Sequence, residues 1–362
     1  MVSIATEYNG ADFVKGLTIS AHGGLDQLEL RDDLPIPELR RGTDVRVRVR
    51  AAALNHLDLF VVRGLPGVAV KGPWVLGADA TGVVEAIGSE AGGVAVGDTV
   101  MINPGISDRS CEYCRDGEQS LCVRFGILGE HLPGTIAEYV VVPAANVRAI
   151  PASVPSDIAA AFSLATLTAW RMIVTRARVR AGEQVLIWGI GGGVAIAALQ
   201  ICKQLGAHVW VTSSSEAKLA RARDLGADEA IDHTKTDVAK LIRDRTGKRG
   251  VDVVVDDVGI ATWKQSLLAL GKRGRLVTCG ATTGPMVETD VRRLFWNQWS
   301  ILGSTMGNDA EYEAIVDELR AGRLQPPIDR VYPLAESRAA FERLEKGEQF
   351  GKIVIAVDGE WR

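Results

Sequence analysis

A glycine-rich turn between a strand pattern and a helix pattern constrains the fold of this chain more than any other feature. The apolar run 184–188 leads directly into the glycine-rich residues 189–193, and residues 194–205 then follow a helical pattern. A backbone that turns this sharply and approaches a phosphate closely needs glycine, because a Cβ atom would obstruct it. The helix start adds free N–H groups and a positive dipole end. The sequence therefore predicts a dinucleotide site formed by Gly189, Gly191, Gly192, Gly193 and Val194, with a purely structural turn as the alternative.

Strand and helix patterns alternate beyond this turn. Repeated βα units of this kind predict a parallel, doubly wound sheet, which we assign to residues 161–306. Residues 1–160 instead carry short valine-rich runs broken by glycine and proline, which is typical of a small barrel or sandwich. A single helix is expected over 156–169, with Ser156 as its N-cap. The fold class is α/β, and the tail 307–362 is expected to return to the first domain.

The end of the second strand of this sheet indicates which dinucleotide is bound. A site for NAD places a carboxylate there to bind the ribose hydroxyls, whereas this chain has a serine run that includes Ser213 and Ser214. These serines and Lys218 can receive a 2′-phosphate, so NADPH is expected rather than NADH. Glu216 is read as a partner of the helix dipole. A lysine on the solvated face of a helix is the alternative for Lys218.

A cysteine loop has the spacing of a metal site. Asp108, Cys111, Cys114 and Cys122 can close a tetrahedron around one structural zinc ion, and a closed site of this kind is not catalytic. A redox pair of Cys111 and Cys114, or free thiols, are the alternatives. Cys202 and Cys279 are expected in the core. An odd count of 5 cysteines fits a reducing compartment, and the expected location is the cytoplasm.

Charge and hydropathy exclude two classes of partner. The formal net charge of -4 gives no basic field for nucleic acid. No apolar run reaches the roughly 20 residues that span a bilayer. Residues 1–12 lack the charge and apolar core of a signal peptide.

Several segments together resemble the zinc-type alcohol dehydrogenases and quinone reductases of the medium-chain dehydrogenase/reductase superfamily. Residues 52–58, 77–88 and 97–100, the cysteine loop and the glycine turn occur in the order seen in these enzymes. The resemblance implies a GroES-like catalytic domain (1–160, completed by 307–362), a Rossmann domain and a cleft between them. It also implies a homodimer or tetramer built on the last Rossmann strand, near 300–304. Thr168 would lie near the nicotinamide and Lys352 near the phosphates, unless Lys352 is only a strand-edge charge.

The resemblance fails at the catalytic zinc of this family. The four ligand positions correspond to Asn55, Ala78, Asp79 and Leu164, of which only Asp79 can ligate, and one carboxylate does not hold a catalytic zinc. The hydroxyl of the proton relay is replaced by Leu57, and a tyrosine found in some members by Phe60. A structural zinc without a catalytic one is therefore expected.

Without a Lewis acid, hydride transfer to a quinone or an α,β-unsaturated carbonyl is the expected reaction. Asn55 or His56 would polarise the carbonyl, His56 would donate the proton and Asp58 would orient it. The alternative is that His56 and Asp58 only cap a helix, while Asp79 is a buried remnant. His131 either lines the cleft or is a loop histidine. An alcohol dehydrogenase and a non-catalytic NADPH-binding protein remain the alternative functions.

Overall fold

The computed structural model describes residues 13–359 and 361 of the chain, so the expectation for the first 12 residues lies outside the described part. The N-terminal half is β-rich, as its valine-rich runs predict. Its strands are β1 (Phe13–Ile19), β2 (Glu29–Pro35), β3 (Asp44–Ala53), β4 (Trp74–Val75), β5 (Asp79–Ile87), β6 (Thr99–Ile102), β7 (Gly105–Ile106), β8 (Gly126–Ile127), β9 (Tyr139–Pro143) and β10 (Val147–Ala149). Its helices are α1 (His56–Arg63), α2 (Glu112–Arg115), α3 (Ser156–Ala160) and α4 (Ser163–Trp170), the last continued by a π-helical turn over Arg171–Arg176.

The C-terminal half alternates strands with helices. Its strands are β11 (Gln184–Ile187), β12 (His208–Ser213), β13 (Glu229–Asp232), β14 (Val251–Val255), β15 (Leu270–Thr278), β16 (Ser300–Gly303), β17 (Ile328–Pro333) and β18 (Lys352–Ala356). Its helices are α5 (Gly193–Gln204), α6 (Glu216–Asp224), α7 (Val238–Arg245), α8 (Trp263–Ala269), α9 (Val291–Asn297), α10 (Asp309–Arg320) and α11 (Ser337–Glu345).

The first half is organised around strand β3. Its sheet has the order β10-β6-β5-β3-β18-β17, with β9 also paired to β3, and a separate sheet has the order β2-β1-β4. Val45, Val47 and Val49 of β3 are buried, and the arginines between them are half-buried, as the alternating pattern predicts. Strand β18 pairs antiparallel with β3, so the C-terminal tail does return to the first domain.

The second half is a parallel sheet of the order β13-β12-β11-β14-β15-β16. The strand order reverses between β11 and β14, and ligands of such sheets bind in the crevice outside the carboxyl ends of the strands at this point. Tail helix α10 also belongs to this half, because Tyr312 packs in the same apolar core as Leu167 of α4 and Ala198 of α5. The tail is thus shared between the two halves.

Two local predictions are wrong. The helix expected over 156–169 is divided into α3 and α4, because the chain tightens where the Phe162 N–H bonds the carbonyl of Ala159, and the Phe162 ring packs into the core. Ser156 is the first residue of α3 and not its N-cap, since the extended residue before the helix is Pro155. Among the described residues, no helix is both long and apolar enough to cross a membrane.

Candidate functional site

A cavity of about 430 Å³ lies between the two halves. It opens at the carboxyl ends of β11 and β14, where the strand order of the parallel sheet reverses. Its walls come from the start of α1, the glycine turn, the start of α4, the loops after β14 and β15, and the tail before β18. Segments that lie far apart in the sequence therefore meet at one cleft.

The glycine turn has the geometry that its composition predicts. Gly189 has a φ of 68° and Gly191 a φ of 135°, which are conformations that side chains other than glycine strain to adopt. A Cβ atom on Gly193 would lie 2.9 Å from Ala165 Cβ, so this glycine permits close packing of α5 against α4. Apart from its chain neighbours, no atom of residues 13–359 lies within 4 Å of a Cβ built on Gly192, which leaves space directly in front of the helix. The first N–H groups of α5 have no partner within the helix and face this space, so the turn fits a pyrophosphate.

Residues 212–215 at the tip of β12 carry no carboxylate, and the first acidic residue after them in the chain is engaged elsewhere. Glu216 pairs with Arg223 at 2.8 Å on the exposed face of α6. Ser213 is buried and its hydroxyl accepts a bond from the Ser215 N–H, whereas Ser214 is exposed. Ser215 caps α6 by accepting from the Lys218 N–H.

Lys218 lies in the cleft and not on a solvated helix face, so that alternative is wrong. Its Nζ donates to the carbonyl oxygen of Gly347 at 2.6 Å, and a Cβ on Gly191 would lie 3.0 Å from its Cδ. Burial lowers the pKa of Lys218. The ammonium group therefore lies beside the glycine turn, next to the serine tip of β12.

Asn55, Asp79 and Lys352 form one buried polar cluster at the inner end of the cleft. The Lys352 Nζ donates to Asn55 Oδ1 at 2.6 Å and to Asp79 Oδ2 at 3.1 Å. The Asn55 Nδ2 donates to the same oxygen of Asp79 at 3.0 Å. Asp79 is fully buried, as expected for a hydrogen-bonded remnant. The strand-edge alternative for Lys352 is wrong, because β18 lies between β3 and β17 and the lysine is buried.

His56 and Asp58 lie in the first turn of α1 but have different surroundings. The Asp58 carboxylate accepts a hydrogen bond from the Asn55 N–H at 2.7 Å, so it caps the helix. The expectation that Asp58 orients His56 is therefore wrong. His56 is the first residue of α1 and lines the cleft with Leu57 and Phe60. His56 is exposed at the cleft, where partial loss of solvent and then the charge of Lys352 lower the pKa of its imidazole.

Thr168 lies at the cleft wall, as expected. Its hydroxyl donates to the carbonyl of Leu164 one turn earlier in α4. His131 is exposed, accepts a bond from the Ile127 N–H through Nδ1 and does not line the cavity. It is therefore the loop histidine of the two alternatives.

Sequence reasoning missed two cleft residues that follow strands of the parallel sheet. Asp257 follows β14, and burial and the negative charge of Asp256 raise its pKa to about 6. Cys279 follows β15; it packs half-buried against the apolar core, as expected, and also lines the cleft, whereas Cys202 is fully buried as expected. Their position directly after predicted strands was the available signal, since carboxyl ends of parallel strands meet at one edge.

The cysteine loop brings its four predicted ligands together. The ligand atoms of Asp108, Cys111, Cys114 and Cys122 all lie within 4.8 Å of one another, and this is the one such cluster among the described residues. The N–H groups of Ser110 and Cys111 hold the pKa of the Asp108 carboxyl well below its usual range.

Further geometry fits an ion. The N–H groups of Asp108 and Arg124 both donate to Cys122 Sγ at 3.3 Å, which is how thiolate ligands are commonly supported. The Cys111 and Cys114 sulfur atoms are 3.5 Å apart, too far for a disulfide. Three sulfur donors and one carboxylate suit a closed tetrahedral zinc site.

The positions of a catalytic zinc do not fit a metal. Among the side chains at the four ligand positions, only that of Asp79 offers a strong metal ligand. Both of its carboxylate oxygens already accept hydrogen bonds. Its Oδ1 accepts from the Leu164 N–H at 2.7 Å, and its Oδ2 accepts from Asn55 and Lys352.

Comparison with known proteins identifies both domains. Residues 41–152 match the family model of the alcohol dehydrogenase GroES-like domain, and residues 193–321 match that of the zinc-binding dehydrogenases. An NAD-dependent alcohol dehydrogenase of Sulfolobus acidocaldarius is 31% identical over 90% of this chain and 95% of its own length.

Two solved structures show the same fold over nearly the whole chain. The crystal structure of an NAD-dependent alcohol dehydrogenase has a TM-score of 0.90 and 43% identity over 95% of this chain and 100% of its own. The 2-octenoyl-CoA carboxylase reductase CinF, solved with NADP and 2-octenoyl-CoA, has a TM-score of 0.89 and 27% identity over 96% of this chain and 88% of its own. The chain thus belongs to the medium-chain dehydrogenase/reductase superfamily, in the group of zinc-type alcohol dehydrogenases and quinone reductases, and is a nicotinamide-dependent oxidoreductase.

Proposed function

We propose that this protein is an NADPH-dependent reductase of quinones or α,β-unsaturated carbonyl compounds that works without a catalytic zinc. The observation that carries the proposal is that both carboxylate oxygens of Asp79, at the position of a zinc ligand, already accept hydrogen bonds. Asn55 and Leu164 offer no thiolate or imidazole beside it. An alcohol dehydrogenase that lacks its zinc has no Lewis acid to lower the pKa of the alcohol.

A conjugated carbonyl suits the groups that are present. When bound, a reduced nicotinamide supplies a hydride. The negative charge that then develops on the acceptor is delocalised onto an oxygen, which hydrogen-bond donors can stabilise. Asn55 and His56 line the cleft and are the polar groups proposed to meet that oxygen, with His56 as the proposed proton donor. Thr168 is proposed to border the nicotinamide.

The activity test compares electron acceptors and cofactors on the purified protein. We expect the protein to oxidise NADPH with a simple cyclic enone or a benzoquinone as acceptor. With NADH in place of NADPH, kcat/KM should be at least about tenfold lower. NAD⁺-linked oxidation of short alcohols should be slower than either. Alcohol oxidation that exceeds enone and quinone reduction, together with about two zinc ions per chain, would establish the alcohol dehydrogenase alternative. NADPH binding without turnover of any acceptor would indicate a non-catalytic binding protein.

The preference for NADPH rests on the serines and Lys218 around the tip of β12. Replacing Ser213 with aspartate places a carboxylate where NAD-binding sheets have one, and it would repel a 2′-phosphate. We expect Ser213→Asp to lower kcat/KM with NADPH by at least tenfold and to raise it with NADH. The matched control is Ser215→Asp, in which aspartate is also a good helix cap and the preference should change less. An unchanged cofactor ratio in Ser213→Asp would contradict the proposed phosphate site.

A further inference from the structure

Lys352 is a buried cation, and a role in binding phosphate does not fully explain where its ammonium group lies. It is 3% exposed, and a Cβ on Gly193 would lie 3.1 Å from its Cδ, so its stem passes the helix start and continues inward. Its ammonium group ends between Asn55 and Asp79. Both residues occupy positions where zinc-type relatives ligate the catalytic metal. A positive charge thus lies against two of the four ligand positions.

The cluster is balanced in charge and fixed in geometry. A lysine is almost never fully buried without a partner, and the Asp79 carboxylate provides one at 3.1 Å. Asp79 is itself fixed by the Leu164 N–H, and its backbone carbonyl accepts from the Thr135 hydroxyl at 3.0 Å. Of the three ammonium hydrogens, two are directed to Asn55 and Asp79. The third N–H has no hydrogen-bond partner among the described residues, and it remains for a group that enters the cleft, which Lys352 lines.

We propose that the Lys352 ammonium group is the electrophile of this enzyme, donating a hydrogen bond to the carbonyl oxygen of a conjugated substrate in the place of the catalytic zinc. The proposal rests on the reductase function proposed above. Hydride from the reduced cofactor forms a C–H bond at the β carbon, and the carbon–carbon π pair moves so that the carbonyl oxygen becomes an enolate. The cofactor is oxidised and the enone is reduced; a proton that His56 passes on from solvent completes the α carbon, and the carbonyl re-forms. Lys352 keeps its proton and stabilises the enolate oxygen.

The kinetic test removes the charge and then its partner. We expect Lys352→Met to slow single-turnover reduction of a cyclic enone at saturating NADPH by at least about a hundredfold, as for other lost oxyanion donors. Lys352→Arg should stay within about tenfold of the natural enzyme. Because Lys352→Met leaves Asp79 unpaired and can impair folding, the double variant Lys352→Met/Asp79→Asn removes both charges. It should fold, bind NADPH and remain slow. Lys240→Met, at an exposed lysine of α7, is the control for loss of a lysine.

Two readouts separate catalysis from a merely structural role. Benzoquinone is already electron-poor, so Lys352→Met should slow it much less than the enone. The phenolate of 4-nitrophenol resembles an enolate, and its absorbance reports ionisation without turnover. The natural enzyme with NADP⁺ should bind the phenolate at least tenfold more tightly than the phenol, and Lys352→Met should lose this preference.

The outcomes distinguish the two proposals. A natural enzyme that reduces neither enones nor quinones would overturn both. An active natural enzyme whose Lys352→Met variant keeps its enone rate and only binds NADPH more weakly would assign Lys352 to the phosphates and overturn the electrophile alone. Recovery of the enone rate in the double variant would show that Lys352 only neutralises the charge of Asp79. If the natural enzyme binds the phenol and the phenolate equally, or binds neither, the same conclusion follows.

Discussion

Asp58 shows how one side chain near the cleft serves the fold. Its carboxylate is 2% exposed and holds the start of α1 by accepting from the Asn55 N–H. Burial raises the pKa of Asp58 to about 7, against the pull of that hydrogen bond and of the Lys352 charge. The folded protein therefore retains a proton that the unfolded chain releases above a pH of about 4. Stability that depends on this proton is complete at low pH and declines as the pH rises towards 7.

The prediction at this scale concerns Asp58→Asn, which keeps an oxygen for the Asn55 N–H but does not ionise. Between pH 5 and pH 8, the unfolding free energy of the natural protein should fall relative to that of the variant by about 2–3 kcal/mol. Urea denaturation at both pH values measures this difference. Asp26→Asn, at an exposed carboxylate, is the control and should follow the natural protein. Parallel pH dependence in Asp58→Asn would show that Asp58 is ionised throughout.

The cysteine loop is held to the rest of the molecule largely by polar contacts. It is attached to the rest of the molecule by ion pairs, from Arg109 to Asp309 of α10 at 2.7 Å and from Glu118 to the buried Arg171 at 2.5 Å. Arg171 also pairs with Glu311 of α10 at 2.8 Å. A zinc ion that fixes the loop would therefore also position these contacts beside α4 and α10.

Removal of one thiolate tests the proposed structural zinc. Cys114→Ser should reduce the zinc content from about one ion per chain to nearly none and lower the melting temperature, because the loop loses its main constraint. Elemental analysis of protein purified without added metal, together with thermal denaturation, measures both effects. Cys202→Ala removes a buried thiol elsewhere and should keep the zinc. Natural protein without zinc would refute the structural site.

At the scale of the molecule, β16 is an uncovered edge of the parallel sheet. The surface around it is apolar and exposed, with Phe295 at 64%, Trp296 at 76% and Ile301 at 38% exposure. An exposed apolar edge strand invites pairing with a second copy. This supports the proposed homodimer, on which a tetramer would also build.

A lysine on this edge should disrupt the pairing. We expect Ile301→Lys to convert an assembly of at least twice the chain mass into monomers at micromolar concentration, measured by sedimentation equilibrium. Val96→Lys changes an even more exposed apolar residue, at 61%, far from β16 in the sequence and should leave the mass unaltered. A natural protein that is monomeric at the same concentration would contradict the assembly.

The sequence by itself determined the parallel sheet, its glycine turn and the composition of the cysteine loop. These features are local: a strand, a turn and a helix follow one another, and ligands lie within fifteen residues of each other. Periodicity and the special conformations of glycine are readable at this range. Where the periodic signal is short, as in β13, α7 and α9, no element was predicted. The bounds of α3 and α4 were set by the packing of Phe162.

Only the tertiary structure decided the chemistry of the cleft. Asn55 follows β3, Asp79 begins β5 and Lys352 begins β18, so the extremes are almost three hundred residues apart. Pattern analysis does not show that these side chains touch. The same holds for Asp58, whose role depends on which backbone group its carboxylate meets, and for Cys279, whose strand ends at the cleft. The physical reason is that burial and hydrogen-bond partners are assigned by the pairing of distant strands. Local sequence carries no information on that pairing.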